Sequence, residues 1–277
     1  MAWLICGWRL VLPLAAVEPP SPTELKIVID PSGWGDAQPE DVRQVALSAA
    51  RSLWIECPHT HLDLIYLHHR KGAPQTNWDR DEDERIVIGL ASEDRRWAQM
   101  AFQFAHEFCH TLAMHSNDWR HSWRVVGKPN HWLEESLCET ASLYVLRAMS
   151  HTWLSTPPYP NWSEYAPHLA EYAQDRMETQ QTLLPAGRTF FDWLAKNESS
   201  MRANPTLREK NGLVATYLLP LFEAEPRGWE AITYFNTGAH DKKQSLNAFL
   251  GDWRQRCPAD LKPFVSKIAG ALGRPID

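Results

Sequence analysis

The chain has 277 residues, 44% of them apolar, with basic side chains scattered among acidic ones to a formal charge of -6. That composition excludes a disordered chain, suffices for one large or two small domains, and argues against nucleic acid as a partner because no basic face stands out. The 14 tryptophans exceed ordinary usage and recur at helical spacing or beside proline, so they are expected to pack a core.

The first segment, MAWLICGWRLVLPLAAVEPPSP, resembles an export signal over residues 1–17, with Ala15 and Ala16 near the cleavage point. It lacks a basic start and carries Arg9 within the apolar run; a buried first strand or a misplaced start codon is the alternative. An exported protein, periplasmic or extracellular, is the expectation. No later stretch approaches about 18 continuous apolar residues, so no membrane span is expected beyond this segment. Loss of a signal containing Cys6 would leave Cys57, Cys109, Cys138 and Cys257, an even set compatible with an oxidising compartment.

From Glu24, ELKIVID alternates and runs into Pro31-Ser32-Gly33, the pattern of a strand and turn. PEDVRQVALSAARSLWIE follows with Val42, Val45, Ala46, Ala49 and Leu53 at helical spacing, opened by Pro39 and closed by Pro58. Leu62–His69 and Arg85–Leu90 read as two more strands, joined through the acidic loop DRDEDER. Ser92, with Glu93 and Asp94 behind it, is placed to cap a helix that runs unbroken from Arg95 to about Met114. A polar and aromatic loop leads to a second long helix, about Leu133 to Met149, ended by Pro157, Pro158 and Pro160. Helical patterns then cover 162–180, 189–196, 207–223, 228–236, 246–255 and 261–272. The fold class expected is α+β: a small N-terminal mixed sheet with one or two helices packed on the first long helix, over 22–114, then a mainly helical part, 115–277.

Within the first long helix, AHEFCHTL places His106 and His110 four residues apart, on one face, where both imidazoles can address a single ion. Glu107 sits about 100° round from His106, beside such an ion without having to bind it, where a carboxylate can take a proton from a metal-activated water. A catalytic zinc site needs three protein ligands and one open position, so a third ligand must be found. The spacing H-E-x-x-H-x-x-G-x-x-H is not met, because Ala113 and Ser116 stand where glycine and histidine are needed, and His115 is one position early. In HWLEESLCETAS, Glu135 and Glu139 share one face, while Glu134 points about 100° away toward the face of Cys138.

Trp132-Leu133-Glu134-Glu135-Ser136, taken with HEFCH, resembles the W-L-x-E-G signature of gluzincin metallopeptidases, specifically over residues 85–147. That resemblance implies a zincin-like fold, one Zn2+ ion held by His106, His110 and Glu135, and Glu107 as general base. It also implies Glu139 as the carboxylate that orients a ligating histidine, Arg85–Leu90 as the edge strand, and a peptide or protein substrate lying antiparallel to it. Ser136 departs from the usual glycine. Where these enzymes carry a tyrosine three residues before a glycine, Glu209 precedes Gly212; Tyr217, Arg208, His115, His121, His131 and His151 are the candidates left to hold the oxyanion. No G-x-M-E-N-like exopeptidase motif occurs. Cys109 and Cys138 each follow a site residue by three positions, so a disulfide or thiol pair between the two helices and a pair of small buried residues at their crossing both fit, with a thiolate ligand a third option. His59, His61, His68 and His69 form a second histidine group on a strand and its approach. A metal-binding module without catalysis, and a zinc hydrolase of another amide or acyl substrate, are the competing functional readings.

Overall fold

The structure, a computed structural model, describes residues 25–77, 79–113, 128, 130–238, 241 and 243–276. The signal-like segment and the histidines His115 and His121 lie outside the described residues.

Strand β1 (Ile27–Ile29), helix α1 (Pro39–Trp54) and strand β2 (Ile65–His69) make a parallel unit, Ile27 facing Ile65 in register. α1 opens on Pro39, whose missing N–H costs nothing in the first turn, and buries the stripe Val42, Val45, Ala46, Ala49 and Leu53. β3 (Gln75–Thr76) and β4 (Ile86–Leu90) complete the sheet in the order β1-β2-β4-β3. β4 runs parallel to β2 and antiparallel to β3, with Thr76 opposite Ile88. The expectation that Arg85–Leu90 is the edge is therefore corrected. β4 is paired on both sides and buried along its whole length, and the two-residue β3 forms the edge.

Helix α2 (Trp97–Ala113) starts later than the sequence suggests, and Ser92 does not cap it. Ser92 is buried instead, and the Gln103 side chain reaches back to accept hydrogen bonds from the N–H groups of Ala91 and Ser92, 3.0 Å each. Asp94 adopts a left-handed backbone, φ 60, held because its N–H donates to the Trp34 carbonyl and its side chain accepts from the Asp36 N–H.

α2 packs on β4 and α1, and against helix α3 (His131–Ser155). Beyond α3 come a short 3-10 turn (Pro160–Tyr165), then α4 (Ala166–Gln181), α5 (Phe190–Ala203) and α6 (Arg208–Ala224). The chain closes with α7 (Trp229–Ile232), α8 (Leu246–Arg256) and α9 (Lys262–Ala271). α4 and α6 both flank α3, so the second long helix is surrounded and buries residues on every side. The fold is α+β, a small mixed sheet followed by a mainly helical part, and one apolar core runs from Ile27 to Leu272 through both. Each tryptophan among the described residues belongs to that core or packs against it; Trp132, Trp153, Trp229 and Trp253 are fully buried.

Candidate metal centre

The crossing of α2 and α3 brings the histidines of one helix to the carboxylates of the other. His106 Nε2 lies 3.3 Å from Glu135 Oε2, and His110 Nε2 lies 3.7 Å from Glu135 Oε1. Both histidines and Glu135 line a cleft of about 270 Å³. Its other walls are the β3 segment from Ala73 to Thr76 and, from α6, Arg208 and Asn211. His131, one turn before Glu135 on α3, brings its Nε2 to 3.3 Å from Glu135 Oε1.

Behind these groups the ring orientations are set by further side chains. His110 Nδ1 is 2.9 Å from Glu134 Oε1, an arrangement that places a ring proton on Nδ1 and turns Nε2 toward Glu135. Glu134 is 1% exposed; its Oε2 accepts from Lys128 Nζ at 2.9 Å and from Asn236 Nδ2 at 3.1 Å. Glu139 stands 3.8 Å from His106 Nδ1, too far for a hydrogen bond, and accepts from Arg208 Nε at 2.9 Å. The carboxylate hydrogen-bonded to a site histidine is thus Glu134 on His110, whereas the sequence reading assigned that position to Glu139.

Glu107 is held from the sheet. Thr76 Oγ1 of β3 lies 3.0 Å from Glu107 Oε2 and 2.8 Å from the Glu107 carbonyl, fixing the carboxylate at the cleft wall and leaving Oε1 without a partner of this kind. Nothing in the sequence singled out Thr76: a two-residue strand is too short to show alternation, and its partner lies 31 residues away.

The electrostatics follow from burial against close opposite charge. Burial opposes the charged form of His110, but Glu135 and the Glu134 hydrogen bond outweigh it and hold the imidazole up at about 10. Burial likewise opposes charge on Glu135, and the imidazoles of His110 and His106 overcome it, drawing the carboxyl down to about 2. His106 is raised in the same way against its own burial by Glu135, Glu107 and Glu139. In His131 burial prevails and the ring is pushed below its ordinary value.

Two donor sets converge here. One ligand atom each from His106, His110 and Cys138 lies within 4.8 Å of the other two, a group that could hold a metal ion. The Cys138 thiol is fully buried and pushed well up by burial and by its contact with the Cys109 thiol, which makes the thiolate costly. Cys109 and Cys138 are free, adjacent and buried at the helix crossing.

Of the candidates named for an oxyanion donor, only Arg208 lines the cleft among the described residues. Tyr217 lies elsewhere: it is 38% exposed and stacks on Phe190, ring centroids 4.0 Å apart. Arg208 and Asn211 are the α6 residues that line the cleft, and nine and six further positions turn the helix by about 180° and 240°, so Tyr217 points away. His151 is exposed on α3, about 24 Å along the helix from Glu135. No family model, curated protein or solved structure matches the chain.

Proposed function

We propose that the cleft is the active site of a zinc-dependent metallopeptidase, zincin-like in plan, with His106, His110 and Glu135 as the ligands and Glu107 as the general base. The observation that carries this reading is the approach of one cleft-lining carboxylate to both imidazole nitrogens, at 3.3 and 3.7 Å. Ligands about 2.0–2.1 Å from a tetrahedral zinc stand about 3.3–3.4 Å apart, close to each of these two imidazole–carboxylate separations. Charge supports the fit as well. Glu107, Glu134, Glu135 and Glu139 face Lys128 and Arg208 among the described residues, and the excess carboxylate charge that raises His106 and His110 is what a divalent cation would meet once the imidazoles release their protons to bind it.

Glu135 is preferred to Cys138 as third ligand for two reasons. It lines the cleft, where an open fourth position can meet water and substrate, and its carboxyl is already the charged form a ligand must be. Cys138 is sealed beneath the site.

A zinc ion held there would polarise a scissile carbonyl and acidify a water. Glu107, steadied by Thr76, takes the proton from that water on its uncommitted oxygen and passes it to the departing amine. Glu134 keeps the His110 ring in one tautomer and one orientation. β3, at the sheet edge and on the cleft wall, offers backbone groups along which an extended peptide can lie as an added strand. The edge expected to receive the substrate is therefore Gln75–Thr76.

Metal analysis of the purified chain, with a peptide-library cleavage assay on the wild type and Glu107→Gln, tests the reading. One equivalent of zinc and cleavage abolished by the substitution are expected. Bound zinc with no cleavage of any library member would favour a metal-binding module, or a hydrolase of another acyl or amide bond. Absence of zinc would overturn the site.

A further inference from the structure

Beside the cleft, and sharing Arg208 with it, lies a second cavity of about 450 Å³ between the C-terminal turns of α4 and the start of α6. Arg176 of α4 lines it together with Arg208, Gln180 and Glu209. The two guanidinium groups gather on one aromatic ring: Arg176 lies 5.0 Å and Arg208 5.6 Å from the Phe102 ring centroid. Stacking on an aromatic face fixes the plane of a guanidinium without using its N–H donors.

Those donors are underused. Arg208 commits Nε to Glu139 and makes no other side-chain hydrogen bond among the described residues. Arg176 has no carboxylate within 4.0 Å among them, and its Nε is buried with no hydrogen-bond partner. Gln180, 7% exposed, adds a second unsatisfied group, its buried Oε1 lacking a partner. Its carboxamide lies against Gly212 so closely that a Cβ there would fall 1.5 Å from Oε1; glycine at this position is what lets the amide reach the cavity wall. Glu209, exposed on the same wall, is the one acidic side chain lining this cavity among the described residues.

We propose that Arg176 and Arg208 form a carboxylate-recognising subsite that selects peptides carrying a free carboxylate near the bond to be hydrolysed. The term substrate rests on the peptidase reading above; the recognition itself does not. A planar carboxylate matches the fork of guanidinium donors. The route from the proposed zinc ligands is short, 3.8 Å from the His106 ring to Glu139 and 2.9 Å from there to Arg208. An extended peptide advances about 3.3 Å per residue, so a carboxylate one to three residues from the scissile bond would reach the arginines. A C-terminal carboxylate and an acidic side chain present the same chemistry.

The test is calorimetric binding to the full-length Glu107→Gln chain of four N-acetylated heptapeptides. These are one neutral peptide ending in a free acid, the same ending in an amide, and amide-ended versions bearing a glutamate or a glutamine near the end. At least one carboxylate-bearing form is expected to bind about tenfold tighter than its neutral counterpart. Preference for the free acid would assign the site to a peptide terminus, and preference for glutamate to a side chain. Arg176→Gln, which keeps the stem over Phe102, should erase the preference and leave the affinity for the neutral amide and the zinc content unchanged, while Arg176→Lys should restore part of it. Equal binding of all four peptides, no binding of any, or a preference that survives Arg176→Gln would overturn the subsite. A carboxylate preference in a chain that neither holds zinc nor cleaves peptides would keep the subsite and overturn the hydrolase reading. Zinc and cleavage indifferent to carboxylates would do the reverse.

Discussion

Two groups of histidines occupy the sheet-bearing half and its neighbour helix, and they behave differently. His106, His110 and His131 are largely buried and surround one carboxylate, Glu135, at 3.3 to 3.7 Å. His59 and His61 are exposed, their side chains 58% and 75% accessible, and each meets a single carboxylate, Glu230 or Asp63. His68 and His69 lie half-buried on β2, His68 stacking on Tyr66 and His69 meeting Trp34 edge-on. Number of histidines does not distinguish the groups. What does is a helix crossing that holds several donors of opposite charge around one point and excludes enough water for their fields to be felt.

Removing the proposed base tests that contrast most severely. Glu107→Gln is expected to lower peptide cleavage by about 10²–10⁴-fold with bound metal unchanged, read by turnover and metal analysis; a parallel loss of metal would show that Glu107 serves the architecture instead of the chemistry. Glu134→Ala takes the carboxylate from between buried Lys128 and His110, whose partners are 2.9 Å away on each side, and should cost about 3–5 kcal/mol in denaturant unfolding. The milder Glu134→Gln retains the shape and should weaken metal binding by about 10–100-fold in a competition titration. A chelator should lower the thermal midpoint of the wild type, since metal at about 100 times its Kd stabilises by about 2.7 kcal/mol, and should leave Glu135→Ala unmoved. At the other histidine group, His61→Ala should change stability by no more than about 0.5 kcal/mol and metal content not at all.

Within single elements the sequence was a sufficient guide. The period of α1 predicted its buried stripe, and the four-residue spacing of His106 and His110 required them to share a face, because one turn of helix fixes those relations whatever packs against it. The same logic separated Glu135 from Glu134 on α3. It failed where a role depended on a face of a distant helix: Tyr217 was a candidate by residue type, yet the positions of α6 that line the cleft are Arg208 and Asn211. It failed also at the start of α2, where Gln103 bonds the backbone that Ser92 was expected to serve.

What the sequence alone determined is thus a set of local geometries: an α+β order of elements, a helix with two histidines on one face and a glutamate about 100° round, and a second helix with carboxylates one turn apart. Tertiary structure alone decided which of those carboxylates bonds a ring, that a threonine on a two-residue edge strand steadies Glu107, and that two arginines from different helices meet over Phe102. Helical phase is enforced every 3.6 residues by backbone hydrogen bonds, whereas contacts such as Glu134 with Asn236 span 102 residues and exist only once the core has packed.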